Sequence, residues 1–157
     1  MKLDNFVLDV DGVLTDGTFY YSEKGKIIKK FGPHDADGLK LISDLIKIEF
    51  ISADKRGFLI SERRVNDMGF DLTLVGEKDR EQFIKQNYSV ENLAFMGDGY
   101  FDANIVEMAA LGIAPNNALD QVKKVANFVT KNDGGNGAVF EACNYLKHII
   151  DDQKQKQ

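Results

Sequence analysis

Two acid-rich turns are the parts of this sequence best suited to chemistry. Asp9 and Asp11 stand two residues apart directly after the apolar run 6–8, and Asp98 follows a second apolar run at 93–96. Such runs predict short buried strands, and side-chain alternation directs Asp9 and Asp11 toward the same side. Oxygen ligands without a cluster of Cys or His favour Mg²⁺ over Zn²⁺. The pattern therefore predicts a magnesium site at Asp9, Asp11 and Asp98, where one carboxylate can also attack an electrophile.

The same acids have a simpler interpretation as residues that cap turns and helices. An isolated Asp-Gly pair after a strand usually has that role. Here two acid-rich turns follow two strands, and basic and hydroxyl residues end the strands between them. This combination favours a shared functional site over a set of unrelated turns.

Alternating strands and helices would position these carboxylates. Hydrophobic patterning predicts strands at 6–8, 48–51, 72–75, 93–96, 112–114 and 127–130, and helices at 36–47, 58–68, 79–87, 103–110, 118–126 and 138–150. Residues 17–31 predict a small β-hairpin between the first strand and the first helix. The alternation indicates an α/β fold with a doubly wound, mainly parallel sheet. Residues 1–150 are expected to form a single domain, followed by a polar tail at 151–157.

Length, charge and cysteine content exclude several classes of protein. A chain of 157 residues is about the size of one domain. Its 25 acidic and 20 basic residues give a formal charge of −5, which offers no general positive field for nucleic acid or an anionic membrane. The single Cys143 excludes an internal disulfide, and we find no pattern typical of a signal peptide or a membrane span. We expect a soluble cytoplasmic protein with no nucleic-acid or membrane partner.

The first acid-rich turn also carries a family resemblance. Residues 9–17 read Asp-Val-Asp-Gly-Val-Leu-Thr-Asp-Gly and resemble DxDGxxTDG, the first motif of haloacid dehalogenase superfamily phosphatases. The resemblance continues through 51–54, 97–102 and 133–139, and therefore covers nearly the whole chain. It is closest to the capless 3-deoxy-D-manno-octulosonate 8-phosphate phosphatase branch. The resemblance implies the family's α/β fold without a cap domain, dependence on Mg²⁺ and a homotetramer.

Roles for the four acids follow from this resemblance. It implies that Asp9 is the nucleophile, which takes the phosphoryl group as an aspartyl phosphate. Asp11 is then the general acid and base, and its backbone carbonyl is a metal ligand. Asp98 completes the protein's share of the magnesium ligands, and Asp102 orients these ligands from behind.

The resemblance also implies a hydroxyl and a cation that bind phosphate. Ser52 ends the second predicted strand, where the family places a phosphate-binding Ser or Thr, although it could instead cap a helix. The cation would neutralise charge on the transferring phosphoryl group. Arg80 lies four residues after Gly76, the spacing expected in relatives, and is preferred over Lys78, which lies two residues after Gly76.

Substrate contacts are expected from two loops that depart from the family pattern. His34 stands where octulosonate phosphatases carry an Arg, and Asp35 follows it. Segment 52–56 replaces a Ser/Thr-Gly-Arg pattern, so Lys55 or Arg56 could substitute for the missing guanidinium. His34 and Lys55 are equally consistent with solvated loop residues that contact no ligand. Gly99 also replaces the second Asp of a Gly-Asp-Asp sequence. These departures leave phosphoryl transfer intact and leave the sugar acid open.

A hairpin and a glycine-rich loop could complete so short a protein. In the family, hairpins from four subunits pair into a barrel, and the aromatic and aliphatic residues of hairpin 17–31 fit such an association. The alternative is a hairpin that packs on its own sheet. In the family the segment at 134–137 can reach an adjacent active site, so Gly134 and Gly135 are expected to contact substrate as part of a mobile loop, or else to form a simple turn before the last helix.

Three hypotheses for function result. The first is a Mg²⁺-dependent phosphomonoesterase that acts on a small phosphorylated 2-keto-3-deoxy sugar acid, of the octulosonate 8-phosphate or nonulosonate 9-phosphate type. The second is a phosphatase of another small phosphometabolite. The third is a non-catalytic assembly module, which would have lost a central carboxylate. Because Asp9, Asp11 and Asp98 are all present, the sequence favours an enzyme.

Overall fold

Six parallel strands form the centre of the computed structural model, which describes residues 2–155. The strands are β1 (Asn5–Asp9), β4 (Lys47–Ser52), β5 (Leu72–Leu74), β6 (Leu93–Met96), β7 (Leu111–Ala114) and β8 (Phe128–Val129). Their order across the sheet is β5-β4-β1-β6-β7-β8. β1 is central, and each neighbouring strand is parallel to it. The carboxyl ends of β4, β1 and β6 therefore meet at one edge of the sheet.

Six α-helices, three short 3-10 turns and a separate hairpin complete the described part of the chain. The helices are α1 (His34–Ile42), α2 (Phe58–Asp67), α3 (Arg80–Asn87), α4 (Ala103–Met108), α5 (Asp120–Val125) and α6 (Ala138–Gln155). The hairpin pairs β2 (Thr15–Ser22) with β3 (Gly25–Phe31) and forms a two-stranded sheet of its own. No helix within residues 2–155 combines the length and the hydropathy that crossing a membrane requires. The predicted α/β fold with a parallel sheet and a hairpin insertion is confirmed.

Alternation along β1 divides the apolar core into two layers. Phe6 and Leu8 pack on one face of the sheet with residues of α1, α2 and α6, whereas Val7 packs on the other face with residues of α3, α4 and α5. All three side chains are fully buried, and each contributes about 1.5–3 kcal/mol through its removal from water. The period of two places Asp9 on the same face as Val7. The nucleophile candidate therefore points toward the side of the sheet that α3 covers.

Two predicted helix ends were wrong by five residues, whereas the other helix boundaries differ by two residues or fewer. Helix α1 ends at Ile42 instead of residue 47, and the N–H groups of Leu45 and Ile46 turn back to the Ile42 carbonyl. The chain must turn there because Lys47 begins β4 opposite Asn5. Helix α6 continues beyond residue 150 to Gln155, and an ion pair between Lys147 and Asp151 supports the added turn. Residues 151–155 of the predicted polar tail are thus helical, and residues 156–157 lie outside the described part.

Asp35 joins α1 to α6. Its side chain is 1% exposed, and its Oδ1 accepts the N–H of Phe140 at 3.2 Å, which satisfies a free donor in the first turn of α6. Gly38 permits the close helix contact, because a Cβ there would lie 2.6 Å from the Phe140 Cα. Burial raises the pKa of Asp35 to about 6, although the N–H donors of Phe140 and Val139 oppose this shift. The fold therefore favours the protonated carboxyl.

We predict that Asp35→Asn changes how stability depends on pH. A carboxyl with a higher pKa in the folded state stabilises the fold at low pH, and that stability is lost as pH rises from about 4 to about 6. Asparagine does not ionise, so over this pH range the free energy of unfolding of Asp35→Asn should increase relative to that of the wild type. The gain should reach up to about 3 kcal/mol. Urea unfolding at several pH values measures it.

Asp37→Asn is the matched control, because Asp37 lies exposed on the same helix. The free energy of unfolding of this control should change with pH by the same amount as that of the wild type. A pH-independent difference between Asp35→Asn and the wild type would contradict the prediction.

Candidate active site

A cavity of about 520 Å³ opens at the carboxyl ends of β1 and β4, beside the loop that follows β6. Residues from five segments line it: Asp9, Asp11, Phe19, Lys26, Ala53, Asp54, Lys55, Arg56, Glu77, Arg80, Gly99, Tyr100, Phe101 and Asp102. The structure thus brings together most of the acids and cations that the sequence singles out. Ligands in open α/β proteins bind in this position.

Arg80 contacts the candidate nucleophile. It is the first residue of α3, and its Nη2 donates to Asp9 Oδ1 at 2.8 Å. Both side chains are largely buried, at 5% exposed for Asp9 and 6% for Arg80. Lys78 instead lies in the short 3-10 turn Glu77–Asp79 and lines a different depression. Of the two cations proposed for phosphate, the structure places Arg80 beside Asp9.

Asp102 holds both Arg80 and the acid-rich loop. Its Oδ1 accepts a hydrogen bond from Arg80 Nη1, while its Oδ2 accepts the N–H groups of Asp98 at 3.1 Å and Gly99 at 3.0 Å. Both oxygens of this 1% exposed side chain are therefore engaged. Asp102 orients its neighbours, and Asp9 and Asp98 remain the carboxylates that could hold a cation.

Asp98 approaches Asp9 closely because Gly12 makes room. One carboxylate oxygen from each of Asp9, Asp98 and Asp102 lies within 4.8 Å of the others. Gly12 adopts a φ of +83°, a backbone conformation that glycine tolerates. The carboxyl group of Asp98 occupies the position that a Cβ at Gly12 would take. The turn after β1 and the loop after β6 can approach this closely because residue 12 has no side chain.

The clustered acids favour a bound cation. Burial raises the pKa values of Asp9 and Asp98, and the charge of Asp102 raises both further, whereas Arg80 lowers them. Removing like charges from water is costly unless an opposite charge compensates them. The donors are all oxygens, which suits a hard divalent ion such as Mg²⁺. The residues present therefore fit a magnesium ion, but the clustered acids are Asp9, Asp98 and Asp102, whereas the Asp11 carboxylate of the predicted set pairs with Lys29.

Ser52, His34 and Asp35 do not line the cavity. Ser52 is buried at the end of β4, and its Oγ accepts the N–H of Asp54 at 3.2 Å. His34 is exposed at the start of α1. Asp35 is enclosed between α1 and α6, so its predicted substrate contact is corrected to a helix-capping role. The roles of Ser52 and His34 stay predictions.

Gly134 and Gly135 pack behind the first acid-rich turn instead of over the cavity. Gly135 donates its N–H to the Val13 carbonyl at 3.1 Å, and Gly134 donates to Asn117 Oδ1 at 2.6 Å. A Cβ at Gly134 would overlap the carbonyl oxygen of Gly12. The loop is held against its own chain, which supports the interpretation as a turn before the last helix.

Comparison with known proteins agrees with this geometry. Residues 81–142 match the haloacid dehalogenase-like hydrolase family. The 3-deoxy-D-manno-octulosonate 8-phosphate phosphatase of Haemophilus influenzae is 33% identical over 154 residues, which span 92% of this chain and 84% of that protein. The chain belongs to the haloacid dehalogenase-like hydrolases. Its branch is that of the 3-deoxy-D-manno-octulosonate 8-phosphate phosphatases, as the resemblance over nearly the whole chain implied.

Solved structures of this branch share the fold. The Moraxella catarrhalis phosphatase, in complex with a magnesium ion, a phosphate ion and KDO, has a TM-score of 0.79 and 28% identity, covering 92% of this chain and 85% of that one. The cobalt-bound Haemophilus influenzae phosphatase has a TM-score of 0.80 and 29% identity, covering 94% of this chain and 88% of that one. Members of this branch are named as phosphoric monoester hydrolases.

The hairpin contributes two lysines to the site of this haloacid dehalogenase-like protein, which the sequence did not indicate. Lys26 and Lys29 of β3 both reach Asp54 Oδ2, at 2.6 and 2.8 Å, and Lys29 also reaches Asp11 Oδ1 at 2.8 Å. Burial alone would raise the pKa of Asp54, but hydrogen bonds from both lysines lower it to about 2. The sequence shows three lysines in β3, and nothing in their spacing indicates that Lys26 and Lys29 share a partner.

We predict that Gly12→Ala destabilises the protein more than Gly69→Ala. Gly69 has a similar φ of +88°, but a Cβ there would have no atom within 4 Å. Both variants should lose about 1 kcal/mol of stability, because alanine disfavours the left-handed backbone conformation. Gly12→Ala should lose roughly a further 1–3 kcal/mol, because its Cβ collides with the Asp98 carboxylate. Urea unfolding of both variants measures the difference, and equal losses would contradict the proposed close approach.

Proposed function

We propose that this phosphatase is a Mg²⁺-dependent phosphomonoesterase that releases phosphate from a phosphorylated 2-keto-3-deoxy sugar acid. The substrate is of the octulosonate 8-phosphate or nonulosonate 9-phosphate type. The observation that carries the proposal is the buried contact between Asp9 and Arg80 at the base of the cavity, with Asp98 alongside. The relative bound to magnesium, phosphate and KDO supports this choice of substrate.

Asp9 and Arg80 have the positions needed for transfer of a phosphoryl group to the enzyme. The Asp9 carboxylate attacks phosphorus, the bond from phosphorus to the sugar oxygen breaks, and an aspartyl phosphate forms. Arg80 donates N–H groups from beside Asp9, where negative charge spreads over the phosphoryl oxygens. Asp9, Asp98 and the backbone carbonyl of Asp11 would hold a magnesium ion, which would supply further positive charge there.

Asp11 supplies and removes the protons. Its carboxyl lines the same cavity as Asp9, and its side chain is 30% exposed. In the first step, the protonated Asp11 gives its proton to the departing sugar oxygen. In the second step, water attacks phosphorus, Asp11 takes a proton from that water, and the bond from phosphorus to Asp9 breaks. Phosphate leaves, and Asp9 and Asp11 return to their starting states.

Lys55 and Arg56 suit the acid end of the substrate. Both side chains are exposed at the cavity, and within residues 2–155 neither forms an ion pair with a carboxylate. Lys26 also lines the cavity but is paired with Asp54, so the remaining cations are the buried Arg80 near Asp9 and the exposed Lys55 and Arg56 at the mouth. A molecule with a phosphate at one end and a carboxylate at the other matches this arrangement.

Phosphate release tests the activity and the substrate class together. Purified protein is assayed with Mg²⁺ and with EDTA against octulosonate 8-phosphate, nonulosonate 9-phosphate and common metabolite phosphates. We expect Mg²⁺-dependent release that favours the keto-deoxy acids, and a loss of at least about 10³-fold in kcat for Asp9→Asn, which lacks the nucleophile.

Asp44→Asn is the matched control, because Asp44 is exposed on the turn after α1, and it should retain full activity. Turnover confined to other esters would replace the proposed substrate with another small phosphometabolite. A folded protein that hydrolyses no ester would reject the catalytic function.

We also propose that the hairpin forms a homotetramer interface. Phe19, Tyr20, Tyr21, Ile27 and Ile28 are each between 46% and 67% exposed. A two-stranded sheet is only marginally stable alone, and large exposed apolar patches commonly mark interaction sites. The outer side of the hairpin would therefore gain stability from a second copy of the same surface.

Light scattering tests this association. We expect a particle of about four times the 17.6 kDa chain mass. Ile28→Lys should dissociate it, because the change introduces a charge opposite Tyr20 in the exposed strand pair. Leu59→Lys is the matched control, since Leu59 is a 78% exposed residue of α2 outside the hairpin. A wild-type monomer, or dissociation by both variants alike, would contradict the role of the hairpin.

A further inference from the structure

A buried lysine of the hairpin contacts the candidate acid and base. The Lys29 side chain is fully buried, and its Nζ lies 2.8 Å from Asp11 Oδ1, 2.8 Å from Asp54 Oδ2 and 2.7 Å from Ser61 Oγ. An ammonium group has three N–H donors, so all three have acceptors. A charge removed from water in this way requires nearby carboxylates. The lysine is thus fixed in one place by its surroundings.

An irregularity in the hairpin directs Lys29 toward the site. Tyr20 pairs with Ile28, but Tyr21 pairs with Lys26, so Ile27 is an extra residue in β3. In a regular strand, residues three apart point to opposite faces. The extra residue restores Lys26 and Lys29 to the same face, where both reach Asp54 Oδ2. The bulge therefore allows two lysines of one strand to meet one carboxylate.

The body of the protein is shaped to receive these lysines. Gly57 precedes α2 and donates its N–H to Asp54 Oδ1 at 3.1 Å. A Cβ at Gly57 would lie 2.6 Å from Lys29 Cε and 2.7 Å from Lys26 Cδ. Ser61, also fully buried, comes from the next turn of α2. The start of α2 therefore leaves space for the two lysine side chains and supplies an acceptor for Lys29.

We propose that Lys29 is a positioning residue that holds the Asp11 carboxyl group toward the cavity. The proposal rests on the proposed function, in which Asp11 moves protons. Within residues 2–155, Lys29 is the only cation that pairs with Asp11. An acid or base must be correctly oriented to act, and a 30% exposed carboxyl without this contact could rotate toward solvent. Lys29 is fully buried and does not line the cavity, so it acts through Asp11 and does not contact the phosphate itself.

Leaving-group dependence provides the test. Phenyl phosphate and p-nitrophenyl phosphate have similar shapes, but phenolate is the stronger base and needs a proton more when it departs. The value of kcat/KM covers the step in which the phenol leaves. We expect Lys29→Met to lower kcat/KM for phenyl phosphate about ten-fold more than for p-nitrophenyl phosphate, in the same direction as Asp11→Asn. Adding Lys29→Met to Asp11→Asn should cause little further loss, because both changes act on one proton transfer.

Two further variants separate positioning from folding. Lys30→Met removes the same charge from the neighbouring exposed position and should keep the wild-type ratio between the two esters. Ser61→Ala removes one acceptor of Lys29 without removing its charge, and should shift the ratio in the same direction by a smaller factor. If Lys29→Met does not fold, Ser61→Ala decides the question.

Equal losses for both esters in Lys29→Met and Ser61→Ala would overturn the role of Lys29 while leaving the proposed function intact. Wild-type protein that hydrolyses neither aryl ester nor octulosonate 8-phosphate would instead reject the proposed function, and with it this role for Lys29. The two failures are therefore distinguishable in the same assay.

Discussion

The compensation of buried negative charge is the constraint on which the site depends. Asp9, Asp98 and Asp102 bring oxygens within 4.8 Å of one another at the end of the central strands. Arg80 supplies one positive charge, shared between Asp9 and Asp102. One guanidinium against three carboxylates leaves an excess of negative charge, and burial, together with the charge of the neighbouring acids, raises the pKa values of Asp9 and Asp98. The local fold serves this arrangement, because Arg80 begins α3 and Gly12 makes room for Asp98.

The hairpin also compensates the negative charge of carboxylates, and here lysine side chains supply the positive charge. When Asp11 is ionised, it and Asp54 carry two negative charges, and Lys26 and Lys29 carry two positive charges. This group is neutral as a whole and remains within the protein wall of the cavity. The acid cluster of Asp9, Asp98 and Asp102 has an excess of negative charge, which suits a divalent ion. Beside it lies the second cluster, in which the charges of the acids and the lysines balance. The hairpin thus supplies a wall of the cavity as well as an exposed apolar surface.

The predictable parts of this protein are those that follow from local periodicity. Strand alternation places Asp9 correctly, and the sheet order brings Asp98 beside it, so the acid cluster was accessible from the sequence. The contact from Lys29 was missed because a one-residue bulge changes the face of β3 and leaves no signal in composition. Asp35 was misassigned because its partner, Phe140, is distant in the chain and meets it only through helix packing. Long-range contacts of this kind depend on tertiary structure.

The geometry also limits where substrate discrimination can arise. Lys55 and Arg56 are exposed, and an ion pair between exposed groups contributes at most about 1 kcal/mol, which is a factor of roughly five in affinity. A neutral sugar phosphate would leave these two cations solvated at little cost. Stronger discrimination requires groups that are removed from water. A buried polar group left without a partner destabilises a complex by more free energy than an exposed ion pair contributes. Lys26 and Asp54 line the cavity with side chains that are 9% and 14% exposed. The wall that holds Asp11 in place is therefore also the part of the cavity best able to distinguish one phosphorylated acid from another.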